Sequence, residues 1–431
     1  MDHRSGRTAN IKCLGMTYRK FKADYLFTGR ELATRDPVPA IEDPVLVTSE
    51  EGIVQAIIPL SDAGEDVLQV PGLLSPGFVN CHCHLELSRM KGALPENTGL
   101  VDFLLAVIRQ RNQTPEGSPA DGLQERIRSC IKEAEQEMLD NGIVAVGDIC
   151  NTTDTLPQKT TGRLFYHNFI ETIGFLPSGA SDRFDNSRKI FNAFAESYTL
   201  PIEANSIVPH APYSVSPDLF RLVAGFPGNH VLTIHNQESE AENVFYRSGH
   251  GDFLRLYQAM GLDVSFFKGT GKRSLESFLP HFYNNQTLIL VHNVATGAED
   301  LRFAMNGGGA TKFQKPDLFF CLCPCANLYI GGSLPDVDEL LRQGCTMVIG
   351  TDSLASNHQL NILEEIKVLQ RAYPQLSTPR LLQWSTYNGA RALQMDTVLG
   401  SFQPGKKPGV VLIDNLDGMR LTERSGVRRL I

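Results

Sequence analysis

Eight short apolar runs, each ending in a polar residue able to do chemistry, constrain this chain more than any other feature. In order, Gly77–Val79 runs into His82 and His84, Ile143–Val146 into Asp148, Leu164–Ile170 into Glu171, and Ser206–Val208 into His210. Val231–Ile234 then runs into His235, Leu288–Val291 into His292, Leu318–Leu322 into Cys323, and Thr346–Ile349 into Asp352. Most are rich in β-branched or aromatic side chains, which predicts strands. Helix-like stretches separate them: Asp121–Asn141, Asp182–Tyr198, Asp218–Ala224, Glu240–Met260, Asp336–Gln343 and Leu360–Tyr373. Strand alternating with helix implies an α/β fold of parallel βαβ units, and eight units are the number that closes a barrel. Active-site residues of such a barrel sit at the C-terminal ends of its strands, where these polar residues fall. An open doubly wound sheet is the alternative. It calls for a glycine-rich phosphate turn after the first strand, and the sequence has none there.

Both ends of the chain read differently. Phe21–Gly29 and Pro44–Leu60 alternate apolar and polar residues, which predicts a small antiparallel sheet. Val410–Ile413 reads as a strand after Pro404 and Gly405, so the two termini together predict one small β domain. The residues before Met16 read as a loose extension, and Thr114–Pro119 as a loop. With 431 residues, 42% of them hydrophobic, the chain can bury a large core without staples. Nine cysteines, an odd number and several inside apolar runs, point to a reducing, cytoplasmic setting. Cys81, Cys83, Cys321, Cys323 and Cys325 alternate along strands rather than forming Cys-x-x-Cys pairs, so small buried thiols are expected. Met1–Met16 lacks the apolar stretch of a secretory signal, and no run approaches the ~20 residues of a membrane helix. A net charge of −8 argues against a nucleic-acid binder.

On a strand, residues i and i+2 share a face, so His82 and His84 can reach one metal ion. Histidine pairs also occur in cores, but here a Ser75-Pro76-Gly77 turn feeds the apolar strand. His235 ends another strand and can be a third ligand. Glu238, three residues on, suits a proton shuttle to a substrate lying beside the ion, against the alternative of a solvated loop acid. Glu240 and Glu242 read as exposed charges at a helix start. Asp352 can bind the metal or hold the attacking water, and His292 can stabilise charge on the attacked centre. Four histidines and an aspartate at strand ends are hard to explain as packing, because buried imidazoles need partners. His210, heading Ala211-Pro212-Tyr213-Ser214, is expected to touch substrate, as are Glu86 and Glu171, each of which can equally be a buried ion-pair partner. Gly-x-Gly-x-x-Gly, the P-loop and His-Glu-x-x-His are all absent. The run ending in Glu171 has no lysine, which leaves no seat for a second metal bridged by a modified lysine.

Pro76–His84, Pro209–Ser214, His235-Asn236-Gln237-Glu238, Val291-His292-Asn293 and Gly350-Thr351-Asp352-Ser353 resemble the amidohydrolase superfamily, over nearly the whole chain. They look like its ATZ/TRZ branch of heterocycle and nucleoside deaminases and dechlorinases. That resemblance implies a (β/α)8 TIM barrel over 75–399 and a β-sandwich from 1–74 plus 400–431. It implies one divalent ion per chain, zinc or alternatively iron, on His82, His84, His235 and Asp352. Glu238 and His292, with Asp352, would be catalytic. It also implies a homodimer and a small-molecule substrate, with no nucleic-acid or membrane partner. His84–Ser88 and Phe103–Arg109 look like aminodeoxyfutalosine deaminases, which act on an adenine-type base carried by a modified ribose. Two departures bear on substrate contacts: Asn236-Gln237 stands where the family often has Leu-Ala, and Ala326 where it often has Ser before Asn327. The expected reaction is hydrolytic deamination. Dechlorination or cyclic-amide hydrolysis on the same barrel, and a catalytically silent binding module, are the alternatives.

Overall fold

The computed structural model describes residues 17–32, 41–112, 120–197, 204–307 and 315–431. The expected N-terminal extension and the Thr114–Pro119 loop lie outside the described residues. Six short strands come first: β1 (Tyr18–Lys22), β2 (Tyr25–Leu26), β3 (Pro44–Ser49), β4 (Val54–Pro59), β5 (Leu68–Gln69) and β6 (Leu73–Ser75). Eight longer-range partners follow: β7 (Phe78–Cys83), β8 (Ile143–Cys150), β9 (Phe165–Thr172), β10 (Asn205–Pro209), β11 (Val231–Asn236), β12 (Thr287–His292), β13 (Asp317–Leu322) and β14 (Met347–Ile349). The chain ends with β15 (Val411–Ile413) and β16 (Val427–Arg429).

Nearly every residue of strands β7 to β14 is buried, whichever face it lies on. Such strands must be covered on both sides, which is the situation of parallel sheets. They form two four-stranded parallel sheets, in the orders β10-β9-β8-β7 and β11-β12-β13-β14. Hydrogen bonds also run from one sheet to the other. His235 N donates to His210 O at 2.9 Å beside β10 and β11. Thr351 N and Asp352 N both donate to His82 O, at 3.1 and 3.0 Å, beside β14 and β7. Gly350 is required there, because a Cβ on it would sit 3.0 Å from His82 N and 2.9 Å from the His82 Cβ.

The terminal strands make two further sheets, β4-β3-β1-β5 and β16-β15-β6-β2. Each is antiparallel apart from one parallel pair, β1 with β5 and β2 with β6, where the sequence predicts only an antiparallel sheet. Phe21, Leu46 and Val54 from the first sheet share one apolar cluster with Leu26, Leu74 and Leu412 from the second.

The expected helix Glu240–Met260 is two helices, Glu240–Ser248 and Phe253–Ala259. Gly249 stops the first with φ 69°, and a Cβ there would lie 2.7 Å from Phe267 O. Helix Leu100–Asn112 has no counterpart among the expected elements, although Leu100, Phe103, Leu104, Val107 and Ile108 recur at helical spacing. None of the eight described cysteines is in a disulfide, and Cys81, Cys83, Cys321 and Cys323 are fully buried. Among the described residues, no helix is long and apolar enough to cross a membrane.

Candidate active site

Five strand ends deliver histidines and an acid to the floor of one cavity of about 340 Å³. His84 Nε2 lies 3.2 Å from His82 Nε2 and 3.3 Å from His235 Nε2. Asp352 Oδ1 lies 3.5 Å from His82 Nε2 and 3.4 Å from His84 Nε2. Ligands about 2.0–2.1 Å from one tetrahedral ion stand about 3.3–3.4 Å apart. The donor set therefore has the spacing and chemistry of a divalent-metal site. His235 Nδ1 donates to His210 O at 2.7 Å, which fixes the tautomer and leaves Nε2 as a bare lone pair. Bare imidazole nitrogens this close repel each other unless a cation lies between them. Ser356 donates to Asp352 Oδ2 at 2.6 Å, so Oδ1 is the oxygen turned to the imidazoles. His82 Nδ1 is buried without a partner.

Charge states follow from burial. Burial pushes His84 and His235 well below the usual imidazole range, and His210 and His292 downward too. Neutral imidazoles are the form that ligates metal. Burial would raise Asp352, but its bond to His82 and the neighbouring imidazoles hold it well below the usual carboxylate range. Burial, helped by the charge on Asp352, pushes Glu238 up to about 8.

Glu238 Oε1 stands 3.7 Å from His292 Nε2, and both side chains line the cavity. Asn327 Oδ1 meets His292 Nδ1 at 2.8 Å, which leaves Nε2 as the acceptor facing Glu238. Strain concentrates here. Of eight non-glycine residues with positive φ among those described, Gln237 (46°), His292 (75°), Asn293 (61°) and Asp352 (56°) belong to these strand ends. Each such conformation costs of order 1 kcal/mol and persists only where surroundings impose it. At Gln237, Ala295 N donates to its carbonyl at 2.7 Å and its own N–H donates to Glu242 Oε1 at 3.1 Å.

Other sequence expectations divide. His210 and Glu171 line the cavity. Glu86 does not; its carboxylate accepts from Asn151 N, Thr152 N and the Thr152 hydroxyl at 3.1, 2.8 and 2.9 Å and pins the loop after β8. Asp148 is also spent elsewhere, in a fully buried ion pair with Lys159 at 2.5 Å. Glu242, expected to be an exposed helix-start charge, is fully buried, whereas Glu240 is exposed. Helix packing turns Glu242 inward, where it takes the Gln237 N–H and the Ser274 hydroxyl. Sequence reasoning assigned no role to Asn327 as the partner of His292, or to helix Leu100–Asn112 as a wall of the cavity. The helical spacing of Leu100–Ile108 is the signal for the helix; for Asn327 the signal is its place after Ala326 in the run that the family resemblance marks.

The sequence profile of the amidohydrolase family matches residues 73–424. An aminodeoxyfutalosine deaminase from Nitratiruptor sp. is 26% identical over 365 residues, covering 81% of this chain and 81% of that protein. The crystal structure of Helicobacter pylori aminofutalosine deaminase in complex with methylthio-coformycin superposes with TM-score 0.74 at 19% identity, covering 96% of this chain and 100% of that one. An adenosine deaminase from Xanthomonas campestris, solved with bound zinc, gives TM-score 0.65 at 20% identity over 92% of this chain and 84% of that one. These likenesses establish the α/β fold of the TIM-barrel type, and the chain belongs to the amidohydrolase family.

Proposed function

We propose that the chain is a metal-dependent hydrolase that deaminates an adenine-type nucleoside. One observation carries the reading: His84 Nε2 lies 3.2–3.4 Å from His82 Nε2, His235 Nε2 and Asp352 Oδ1, at a cavity whose lining includes His84, His235, Asp352, Glu238 and His292. In this reading His82, His84, His235 and Asp352 hold one divalent ion per chain, with zinc favoured by the zinc-bearing Xanthomonas relative. Such an ion lowers the pKa of water from about 15.7 toward 7 and so supplies hydroxide at neutral pH.

The protein's own groups do the rest. Glu238, protonated at neutral pH, gives its proton to the ring nitrogen beside the amine-bearing carbon. Asp352 Oδ1 and His292 Nε2 are the acceptors for the proton of the attacking water. Water adds to the carbon, the proton taken up by Asp352 or His292 passes to the amine, the carbon–nitrogen bond breaks as ammonia leaves, and the remaining hydroxyl proton returns to Glu238. The names of the relatives, aminodeoxyfutalosine, methylthioadenosine and adenosine deaminases, support an adenine-type base.

We also propose that β7 to β14 close into one barrel over 75–399. The bonds from His235 N to His210 O and from Asp352 N to His82 O support closure at both seams. The two terminal sheets, with their shared apolar cluster, are assigned to one β-sandwich over 1–74 plus 400–431.

Ammonia release from metal-loaded protein against adenosine-like, guanine-like and triazine-like amines, with chlorinated triazines and lactams alongside, tests the reaction. Metal analysis should give about one ion per chain. Activity that survives complete metal removal refutes the reading.

A further inference from the structure

Stability alone does not account for the ion pair between Asp148 and Lys159. Both side chains are fully buried, and replacing such a pair by apolar residues of similar volume is often neutral or stabilising. The Lys159 ammonium donates to Asn168 Oδ1 at 2.7 Å and lies over the rings of Tyr166 and Phe194, 4.9 and 5.2 Å from their centroids. It binds one oxygen of its partner, Asp148 Oδ2, at 2.5 Å. The other oxygen, Oδ1, accepts from Leu85 N at 2.8 Å. Leu85 follows His84, so this carboxylate grips the backbone beside a member of the imidazole cluster.

That grip falls where the ladder between β7 and β8 is irregular. Asn80 pairs with Val146, and the register has shifted by the point where Cys83 meets Asp148. His82 lies within the shift, and His84 lies past the end of β7. The two histidines are then held differently. The His82 carbonyl takes Thr351 N and Asp352 N. The His84 carbonyl takes Leu87 N at 3.0 Å, which only closes a turn in its own segment, Leu85–Met90. The bond from Leu85 N to Asp148 ties that turn to the neighbouring strand. The His84–Leu85 peptide is planar, so a bond at Leu85 N sets the plane that hangs on the His84 Cα. Metal ligands must hold their distances to about 0.2 Å, which makes the setting of that plane matter.

We propose that Asp148, anchored by Lys159, is a positioning residue for His84, acting through the Leu85 N–H to aim the imidazole at the metal site. This rests on the metal-dependent reading. The role of Lys159 within it is to let a carboxylate stand at that depth without an unpaired charge.

The test is the zinc affinity of the full-length protein, measured by competition with a chromophoric chelator, with urea unfolding run alongside. Asp148→Leu with Lys159→Met removes the ion pair and the acceptor together. Asp148→Asn with Lys159→Met removes the pair and leaves an amide oxygen for Leu85 N. Neither double variant strands a charge, so both should unfold near the wild-type urea midpoint. The leucine double variant should bind zinc about 10–100-fold more weakly, the range for losing a group that orients a ligand, and the asparagine one within a few-fold of wild type. Asp148→Val with Lys159→Met makes the same comparison if the leucine does not pack. Wild-type zinc affinity in the leucine or valine double variant, or an equal loss in the asparagine one, overturns the positioning role while the metal site stands. Wild-type protein that binds no zinc overturns the metal site and the positioning role with it. Wild-type protein that binds zinc but releases no ammonia from any amine overturns the deaminase reading alone.

Discussion

Replacing Glu238 with glutamine removes one property of the site and little else. The side chain is only 7% exposed, and an isosteric amide should occupy the same volume. With its carboxyl pushed up to about 8, roughly a tenth of Glu238 is ionised at pH 7. The substitution therefore exchanges one mostly neutral group for another, and no buried charge appears or disappears. Glutamine keeps an N–H that can hydrogen-bond a ring nitrogen but has no proton to transfer. General acid catalysis is worth about 10²–10⁴-fold, which at about 1.4 kcal/mol per decade is roughly 3–5 kcal/mol of barrier. Glu238→Gln should lose that factor in kcat, with KM changed only a few-fold and metal content equal to wild type. The assay is steady-state ammonia release on a working amine substrate, paired with elemental analysis of the same sample. A variant with full metal that retains more than a tenth of wild-type kcat refutes the proton-transfer role. Loss of metal together with activity would instead make Glu238 part of the ion's own support.

Four further outcomes follow from the geometry. His235→Ala and Asp352→Ala should each lower bound metal well below one ion per chain while leaving far-UV circular dichroism unchanged; retained stoichiometry in either contradicts the ligand set. Gly350→Ala forces a methyl against the His82 backbone at 3.0 Å and should cost about 1–3 kcal/mol in urea unfolding, along with metal affinity. Lys159→Met strands Asp148 as a buried charge and should cost about 3–5 kcal/mol, whereas Lys159→Met with Asp148→Leu should recover most of that loss. Burial lowers His167 to about 3, so its imidazole stays neutral in the folded chain while the unfolded one protonates near 6.5. The unfolded state thus binds the extra proton, and stability present above pH 6.5 declines as pH falls toward 3. About 2 kcal/mol should go between pH 7 and 5, and His167→Gln should flatten that slope in urea titrations.

Much of the candidate site was legible before folding because its signals are local. His82 and His84 share a strand face by the two-residue period alone, and Glu238 follows His235 at a fixed distance along one loop. The strand borders moved by only a few residues, since runs such as Leu288–Val291 are apolar throughout and have no other stable placement. Helix Leu100–Asn112 was legible in the same way, from its spacing, and went unread.

Contacts between distant residues decided the rest. Glu86 and Glu171 look alike in sequence, yet one is consumed by the amides of Asn151 and Thr152 and the other keeps an oxygen free in the cavity. Asp148 and Asp352 both lie at or near the ends of parallel strands. Lys159 claims the first, and the bond from Asp352 N to His82 O swings the second onto the imidazoles. Asn327 sets the His292 tautomer across 35 positions of chain. Periodicity determined which residues lie on strands and which pairs share a face, because hydrophobic burial is set by neighbours in the chain. Which acid is free and which is spent depends on partners carried by other elements of the chain, and only tertiary packing brings those together.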